Sequence, residues 1–232
     1  AELCFLYIAT LFGGSIDFKV PMLWAIAFLV EFLLGGVTGI YLGASGSDIY
    51  FHDTYFVVAH FHYTFFPIAI IGLFAGIYHW YPKATGRHLN ELWGKVHFWG
   101  TVVSFNFVFI PMFFLGMGGQ HRRIFDYRHF PELAGPDLQE LRILATVSAI
   151  VMMAFQIPFI INFFYSMFKG KKAGKNPWRA TTLEWSTESP PPHGNWKELP
   201  NVYRGPYEYS NPEGQEDFIP QHLTNKKGNP NL

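Results

Sequence analysis

The strongest constraint in this sequence is a series of four apolar stretches, each long enough to cross a lipid bilayer, which takes roughly 20 apolar residues as a helix. The last three contain no Asp, Glu, Lys or Arg, and the first contains only Glu31. Four such stretches in succession disfavour the alternative, buried core helices of a large soluble protein. The predicted spans are Met22–Gly43, Phe56–Trp80, Val96–Met117 and Ile143–Phe168.

The fold class predicted from these stretches is all-α, a polytopic membrane helical bundle. Residues 1–20 are interpreted as the end of a truncated helix followed by an inner loop, and residues 21–168 as the four spans. Residues 169–232 form a polar tail, which includes a proline triplet starting at Pro190. Because its apolar residues are sparse, we expect the tail to be an extended strap that lies on partners.

Charge and cysteine content exclude several classes of function. The formal net charge is zero, so no electrostatic attraction to nucleic acid is expected. The single cysteine, Cys4, excludes an internal disulfide, a thiolate zinc site and a cysteine-held iron–sulfur cluster. Any metal chemistry must therefore use His, carboxylate or carbonyl ligands.

Lysine clustering predicts the orientation of the spans. Lys169, Lys171 and Lys172 directly follow the fourth stretch, which places that end on the cytoplasmic or matrix side. The loops after the first and third spans then lie on the opposite side. The second of these carries Arg122 and Arg123 against the usual charge pattern, which suggests that an anionic group lies there.

Two histidines inside the second span are the main candidates for chemistry. An ionisable side chain at this depth is costly and needs a partner. Because a helix turns about 100° per residue, His60 and His62 point in nearly opposite directions and cannot share one metal ion. They can each serve as the axial ligand of a separate haem. The alternative is that both rings merely bond to neighbouring helices.

The run HDTYFVVAHFHY, residues 52–63, resembles the tenth transmembrane helix of haem-copper oxidase subunit I, especially in the cytochrome c oxidase branch. Further likeness lies in the run LGGVTG at 34–39 and in the run TLEW at 182–185. The resemblance implies that His60 is the axial ligand of the high-spin haem, where oxygen binds. It makes His62 an axial ligand of the low-spin haem and places Phe61 between the two.

The same resemblance assigns roles to residues of the outer loops. His52 and Asp53 would bind a magnesium or manganese ion, although an adjacent His and Asp are otherwise an ordinary solvated pair. Arg122 and Arg123 would bind haem propionates, with lipid headgroups as the alternative, and Asp48 would lie in the same region. Gln120-His121 stands where relatives commonly have Met-Pro, so the loop is expected to differ in shape, and His121 could add a propionate contact.

As a whole, the resemblance implies the C-terminal part of a twelve-helix subunit that reduces O2 to water with electrons from cytochrome c and pumps protons. It implies two haems, of type a, and a copper ion (CuB) whose ligands lie outside this chain. The implied partners are the N-terminal part of subunit I, subunits II and III and cytochrome c, in a bacterial inner membrane rather than a mitochondrial one. The alternatives are a quinol oxidase, a di-haem electron-transfer protein, and a transporter or accessory protein without cofactors.

Two further residues in the spans attract attention. Glu31 is interpreted as a protonated carboxyl group bonded to a neighbouring helix, in preference to a proton-relay role, and the family resemblance gives it no function. Pro67 follows His62 by about one helical turn and is expected to kink the helix or to free a carbonyl group.

Overall fold

A computed structural model describes residues 2–133, 135–211 and 217–224 of the chain. The regular secondary structure of the described residues is helical, and their only strand-like pairing consists of isolated bridges. The α-helices are α1 (Glu2–Leu11), α2 (Val20–Gly43), α3 (Ser45–Phe51), α4 (Tyr55–Phe66), α5 (Gly72–Thr85), α6 (Glu91–Met117), α7 (Pro136–Ala154) and α8 (Gln156–Lys169).

The chain divides into two compact units. The first comprises Ala1–Tyr78 and Glu91–Asn162, and the second comprises His79–Asn90 and Phe163–Leu232. All the residues predicted to form a functional site lie in the first unit.

Four helical segments are long and apolar enough to cross a membrane, as predicted. They are Val20–Gly43, Tyr55–Thr85, Glu91–Met117 and Pro136–Lys169. Each contains the corresponding stretch inferred from the sequence and extends it by up to several residues. The prediction of an all-α, multi-pass helical bundle is therefore confirmed.

The second segment is continuous but not uniform. Pro67 has no N–H to donate, and Pro67–Ile71 forms a π-helical turn between α4 and α5. The N–H of Gly72 closes this turn by donating to the carbonyl of Pro67. The chain thus accommodates the proline by widening one turn and carries on as a helix.

The fourth segment contains a break that the apolar pattern did not predict. Helix α7 ends at Ala154 and α8 begins at Gln156. Between them Phe155 has a ψ of −5°, and its N–H lies within bonding distance of the carbonyls of Val151 and Met153. The interruption is one residue long, and the Phe155 N–H still makes the α-helical bond to the Val151 carbonyl at 3.1 Å.

The first unit is organised around α6, which packs against α7, α4 and α2. Its core includes Tyr63, Phe105, Val108 and Phe109, all nearly inaccessible to solvent. Helix α2 approaches α4 closely at Gly35, where an added Cβ would lie 2.7 Å from the carbonyl oxygen of Tyr63. Only glycine leaves room for this contact, which places α2 directly beside the histidine-bearing turn of α4.

The second unit holds part of the predicted tail together through one buried lysine. The Nζ of Lys83 donates to the carbonyls of Lys175 and Thr187, each at 2.7 Å. A short 3₁₀ turn at Leu183–Trp185 places the Trp185 ring 5.5 Å from the same Nζ. The predicted tail also covers 212–216 and 225–232, which lie outside the described residues.

Large apolar side chains remain exposed along the spans. Only 11% of the most apolar window of Pro136–Lys169 is buried within the chain. On α2 the exposed residues include Val30, Val37 and Ile40. A surface of this kind requires a lipid bilayer or further protein to cover it.

Candidate functional site: two imidazoles in one helix and an outer ionic cluster

The two outer loops of the sequence prediction meet at one end of the first unit. Thr54 and His121 form an isolated antiparallel bridge. The Arg122 N–H donates to the Asp53 carbonyl at 2.8 Å, and the Tyr55 N–H donates to the Gln120 carbonyl at 2.9 Å. These contacts place both loops at the same end, as expected for segments separated by two crossings. They also fix the start of α4, the helix that carries the histidines.

His60 lies against α2. Its Nδ1 is 3.0 Å from the Gly35 carbonyl oxygen and 3.2 Å from Thr38 Oγ1. A carbonyl oxygen can only accept a hydrogen bond, so Nδ1 carries the proton and Nε2 has a free lone pair. The imidazole is therefore held through Nδ1–H, and this tautomer leaves Nε2 available to bind a metal.

The His60 ring occupies space that is open because Gly39 has no side chain. A Cβ added at Gly39 would lie 2.8 Å from His60 Cε1, closer than non-bonded atoms normally approach. One turn of α2 thus positions the His60 ring through the Gly35 carbonyl group, the Thr38 hydroxyl group and the space left at Gly39. The LGGVTG run singled out in the sequence supplies all three.

His62 faces away from α2. Its Nδ1 lies 2.8 Å from the Val58 carbonyl, one turn earlier in the same helix, so this ring too has its proton on Nδ1. The ring stacks on Phe109 of α6, with centroids 4.1 Å apart, and on Phe61 at 4.5 Å. Phe61 itself is 42% exposed.

The two imidazoles therefore have the same chemistry and different surroundings. Neither the His60 Nε2 nor the His62 Nε2 makes a hydrogen bond to the described residues. One ring rests on α2 and the other on α6, as the positions of residues two apart in a helix require. The arrangement offers two independent nitrogen donors, each oriented by a backbone carbonyl.

An ionic cluster occupies the loop end of the unit. Asp53 Oδ1 accepts from Arg122 Nε at 2.7 Å and lies 2.6 Å from its Nη2, while Asp53 Oδ2 is 3.3 Å from His52 Nε2. The hydrogen bond from Arg122 is the main cause that lowers the pKa of the Asp53 carboxyl, with the charges of Arg122, His52 and Arg123 adding to it. The carboxyl group is thus held ionised.

Backbone conformation brings this cluster together. Asp53 and Arg123 have positive φ angles, 56° and 65°, in the left-handed region that non-glycine residues seldom adopt. Arg123 is exposed and makes no hydrogen bond or ion pair to the described residues. Asp48, half-buried in α3, likewise makes no side-chain bond there. Of the predicted outer residues, the structure therefore joins only His52, Asp53 and Arg122.

The loop is supported by a buried pair that the sequence did not reveal. Arg142 on α7 is 9% exposed, and its Nε donates to Gln120 Oε1 at 2.8 Å. Its Nη2 donates to the Leu133 carbonyl at 2.8 Å, and the guanidinium lies 3.7 Å from the centre of the Tyr127 ring. Gln120, the residue that departs from the family pattern, thus makes a side-chain contact that anchors the loop carrying Arg122. A polar residue just before the Arg pair was its only signal.

His97 is a second residue whose environment could not be predicted. The spacing of His97 from other residues implies no site, and the structure buries this side chain completely. Its Nδ1 lies 3.2 Å from the Tyr78 hydroxyl and its Nε2 lies 3.1 Å from Gln156 Oε1. Both nitrogens are engaged, so this histidine joins helices and has no free donor for a metal.

The residues can be tested against the groups that the prediction attached to them. Each of His60 and His62 offers a free Nε2 lone pair, and imidazole nitrogen is a usual axial ligand of haem iron, so the donor chemistry fits. At the outer end, no group of three or more His, Cys, Asp or Glu side chains converges within the described ranges. A divalent ion bound by His52 and Asp53 would therefore need further oxygen ligands from another chain or from water.

Comparisons with known proteins identify the family of this chain. Residues 3–151 match the family described as Cytochrome C and Quinol oxidase polypeptide I. The chain is 47% identical over 205 residues to cytochrome c oxidase subunit 1 of Synechocystis and 45% identical over 218 residues to that of Thermostichus vulcanus. It is also 46% identical over 218 residues to the alternative cytochrome c oxidase subunit 1 of Bradyrhizobium diazoefficiens.

These matches cover 88%, 94% and 93% of the chain, respectively. The chain spans 36–38% of the length of the same relatives. The family match includes α4 with both histidines and the whole outer cluster. Together with the four spans, it shows that this chain is a multi-pass membrane protein of the cytochrome c and quinol oxidase subunit I family, the haem-copper oxidases.

Proposed function

We propose that this chain is the C-terminal, haem-binding part of the catalytic subunit of a respiratory oxidase. In this proposal the complete complex reduces O2 to water with electrons from cytochrome c and couples the reaction to proton translocation across the membrane. The observation that carries the proposal is the pair of imidazoles in α4. Their Nε2 atoms make no hydrogen bond to the described residues, and their rings rest on different helices.

Each histidine has a defined task in this proposal. His60 would bind the iron of the high-spin haem, and His62 would bind the iron of the low-spin haem. When bound, the haems supply the electron transfer and the oxygen binding that no side chain can provide. The chain keeps each imidazole in one tautomer and one orientation, because the carbonyls of Gly35 and Val58 hold the protons on Nδ1.

Phe61 would lie between the two haems. Its ring stacks on His62 and is 42% exposed at the surface of the described chain. A flat, apolar side chain at this point would exclude water from the space between the two cofactors. A low-dielectric surrounding of this kind strengthens electrostatic interactions at the site.

The outer cluster would bind anions and a divalent ion. Arg122 uses Nε and Nη2 toward Asp53 and retains N–H groups that could donate to a haem propionate. Arg123 is exposed and could donate all of its N–H groups. His52 and Asp53 would provide one nitrogen and one carboxylate to a magnesium or manganese ion, and Asp48 would lie nearby.

The remaining components would come from other chains or from other parts of the subunit. These are the N-terminal part of subunit I, which would provide the copper ligands, and subunits II and III. The named relatives are cytochrome c oxidase subunits, which favours cytochrome c as the electron donor. The haem type in this proposal is haem a, and the location is a bacterial inner membrane.

The proposal is tested by optical spectroscopy of the purified complex, first reduced and then treated with carbon monoxide. His60→Leu is expected to abolish the carbon monoxide-reactive haem, because that haem loses its protein ligand. His62→Leu is expected to remove the absorption of the other haem. The spectral change caused by carbon monoxide should keep its wild-type band positions. The exposed His193, changed to Gln, is the matched control and should leave both spectra unchanged.

Survival of both spectra in either α4 variant would show that the ligand assignment is wrong. Two hexacoordinate haems without carbon monoxide binding would identify a pure electron-transfer protein. A colourless complex would favour a protein without cofactors. Oxidation of quinol and not of cytochrome c by the intact complex would replace the proposed donor while keeping the haem sites.

A further inference from the structure

Glu31 lies in the middle of the first span and is 3% exposed. The described residues provide no Lys, Arg or His in an ion pair with it, and its environment is formed by α2, α4 and α6. An isolated carboxylate in such surroundings loses its hydration without receiving a countercharge. The position therefore strongly favours a neutral carboxyl group.

A chain of hydrogen bonds connects this carboxyl group to the histidine-bearing helix. The Tyr63 hydroxyl donates to Asn106 Oδ1 at 2.8 Å, and Asn106 Nδ2 donates to Glu31 Oε1 at 2.7 Å. The second hydrogen of Asn106 Nδ2 goes to the Val102 carbonyl at 3.0 Å. Because that carbonyl can only accept, the amide has one orientation, and Glu31 Oε1 is necessarily the accepting oxygen.

The second carboxyl oxygen of Glu31, Oε2, has a different environment from Oε1. Glu31 Oε2 is buried and has no hydrogen-bond partner within the described part of the chain. An ionised carboxylate would leave a full acceptor unsatisfied there, which is more costly than leaving a neutral hydroxyl. Tyr63 is the titratable side chain that α4 brings into this network, and α6 contributes the neutral amide of Asn106.

From this geometry we infer that Glu31 is a buried protonation site, which holds one exchangeable proton on Oε2 in the middle of the membrane. The ligand is a proton. Burial without a countercharge favours the neutral acid, and because Asn106 Nδ2 donates to Oε1 alone, Oε2 is the oxygen left to carry the proton. This inference adds a site to the proposed oxidase and does not depend on either haem ligand.

The test is infrared spectroscopy of the purified complex in ordinary and heavy water. The wild type is expected to show the carbonyl stretch of a protonated carboxyl group, shifted to lower frequency in heavy water. Glu31→Gln should abolish this band, while Asp137→Asn, which removes an exposed carboxylate at the start of α7, should retain it. Asn106→Leu should move the band to higher frequency, because the carbonyl loses its hydrogen bond.

A measurement on the unsubstituted complex covers the case in which Glu31→Gln does not assemble. Glutamate carrying heavy carbon in its side-chain carboxyl group should shift the same band, which assigns it to a glutamic acid. A band that persists in Glu31→Gln, or a wild-type complex without one, would overturn the inference and indicate an ionised Glu31 paired with a cation from another segment. A band insensitive to heavy water would also overturn it, because the proton would not exchange. Normal haem spectra in the variants would keep this outcome separate from the test of His60 and His62.

Discussion

The two predicted sites in the first unit are built in opposite ways. The imidazoles of His60 and His62 are fixed by backbone carbonyls inside helices, and their free nitrogens point away from those supports. The ionic cluster is held by ion pairs between loop side chains and by backbone bonds between the loops, and both Asp53 carboxylate oxygens are already engaged within it. A helix can orient a donor before any cofactor arrives, whereas a loop cluster first has to satisfy its own charges.

The helix-built site should be the more sensitive to small steric changes. Gly39→Val would push against the His60 ring, because an added Cβ already lies 2.8 Å from its Cε1. We expect the amount of carbon monoxide-reactive haem per protein to fall by about tenfold or more in the purified complex. A displaced imidazole binds its metal much more weakly. The measurement is the haem content relative to protein.

Gly36→Val provides the control for this experiment. Gly36 is on the same helix, and a Cβ there meets no atom within 4 Å. It introduces the same β-branched residue with the same helix propensity. Equal losses in the two variants would contradict the steric role of Gly39 and weaken the contrast between the two sites.

The loop-built site should instead depend on a residue that is not part of it. Gln120→Leu removes the acceptor of the buried Arg142 Nε and leaves that N–H unsatisfied. We expect a loss of about 1–3 kcal/mol in local stability. Hydrogen exchange of the loop that carries Arg122, followed by mass spectrometry, should show faster exchange, while α4 around His60 should be unaffected.

The exposed His121, changed to Gln, is the comparison for this variant, because it lies next to Gln120 and does not contact Arg142. If both variants exchanged at the wild-type rate, the loop would be held by its backbone bridge alone. If α4 exchanged faster as well, the two sites would not be mechanically separate.

The smallest expected effect concerns the pH dependence of the outer site. A lowered pKa means that the Asp53–Arg122 interaction is complete above the ordinary aspartate value of about 3.9 and disappears as the pH falls through the lower value of the folded protein. Arg122→Gln should move the Asp53 pKa back toward the ordinary value. The carboxylate would then be protonated at a higher pH than in the wild type.

Electron paramagnetic resonance of manganese in the complex can follow this change. Loss of the bound-manganese signal on acidification should begin at a higher pH in Arg122→Gln than in the wild type. Arg123→Gln should give a smaller shift, because Arg123 acts on Asp53 only through its charge. Identical profiles for all three proteins would show that Asp53 does not bind the ion.

The sequence predicted the parts of this structure that depend on local periodicity. The four spans follow from apolar length, and the divergence of His60 and His62 follows from helical geometry alone. The sequence also predicted a neighbouring-helix partner for Glu31, but it could not identify Asn106. Pairings of this kind join residues far apart in the chain, and no periodic pattern records them.

The loop contacts were unpredictable for a different reason. The Asp53–Arg122 pair requires a positive φ at Asp53, which is unusual for a non-glycine residue and has no sequence signature there. Arg142 was hidden because a guanidinium at the start of an apolar span normally marks the membrane interface. The break at Phe155 similarly lies inside an uninterrupted apolar run, and hydropathy does not register a single residue of altered ψ.

The π-helical turn at Pro67–Ile71 has a consequence for the phase of the second span. A π turn takes up one residue more than an α turn, so the angular positions of side chains before and after it belong to separate series. His60 and His62 are in the first series, and Tyr78, which reaches His97, is in the second. Removing one residue between them would rotate one series against the other by about 100°. The two halves of this span can thus meet different neighbours without a common register.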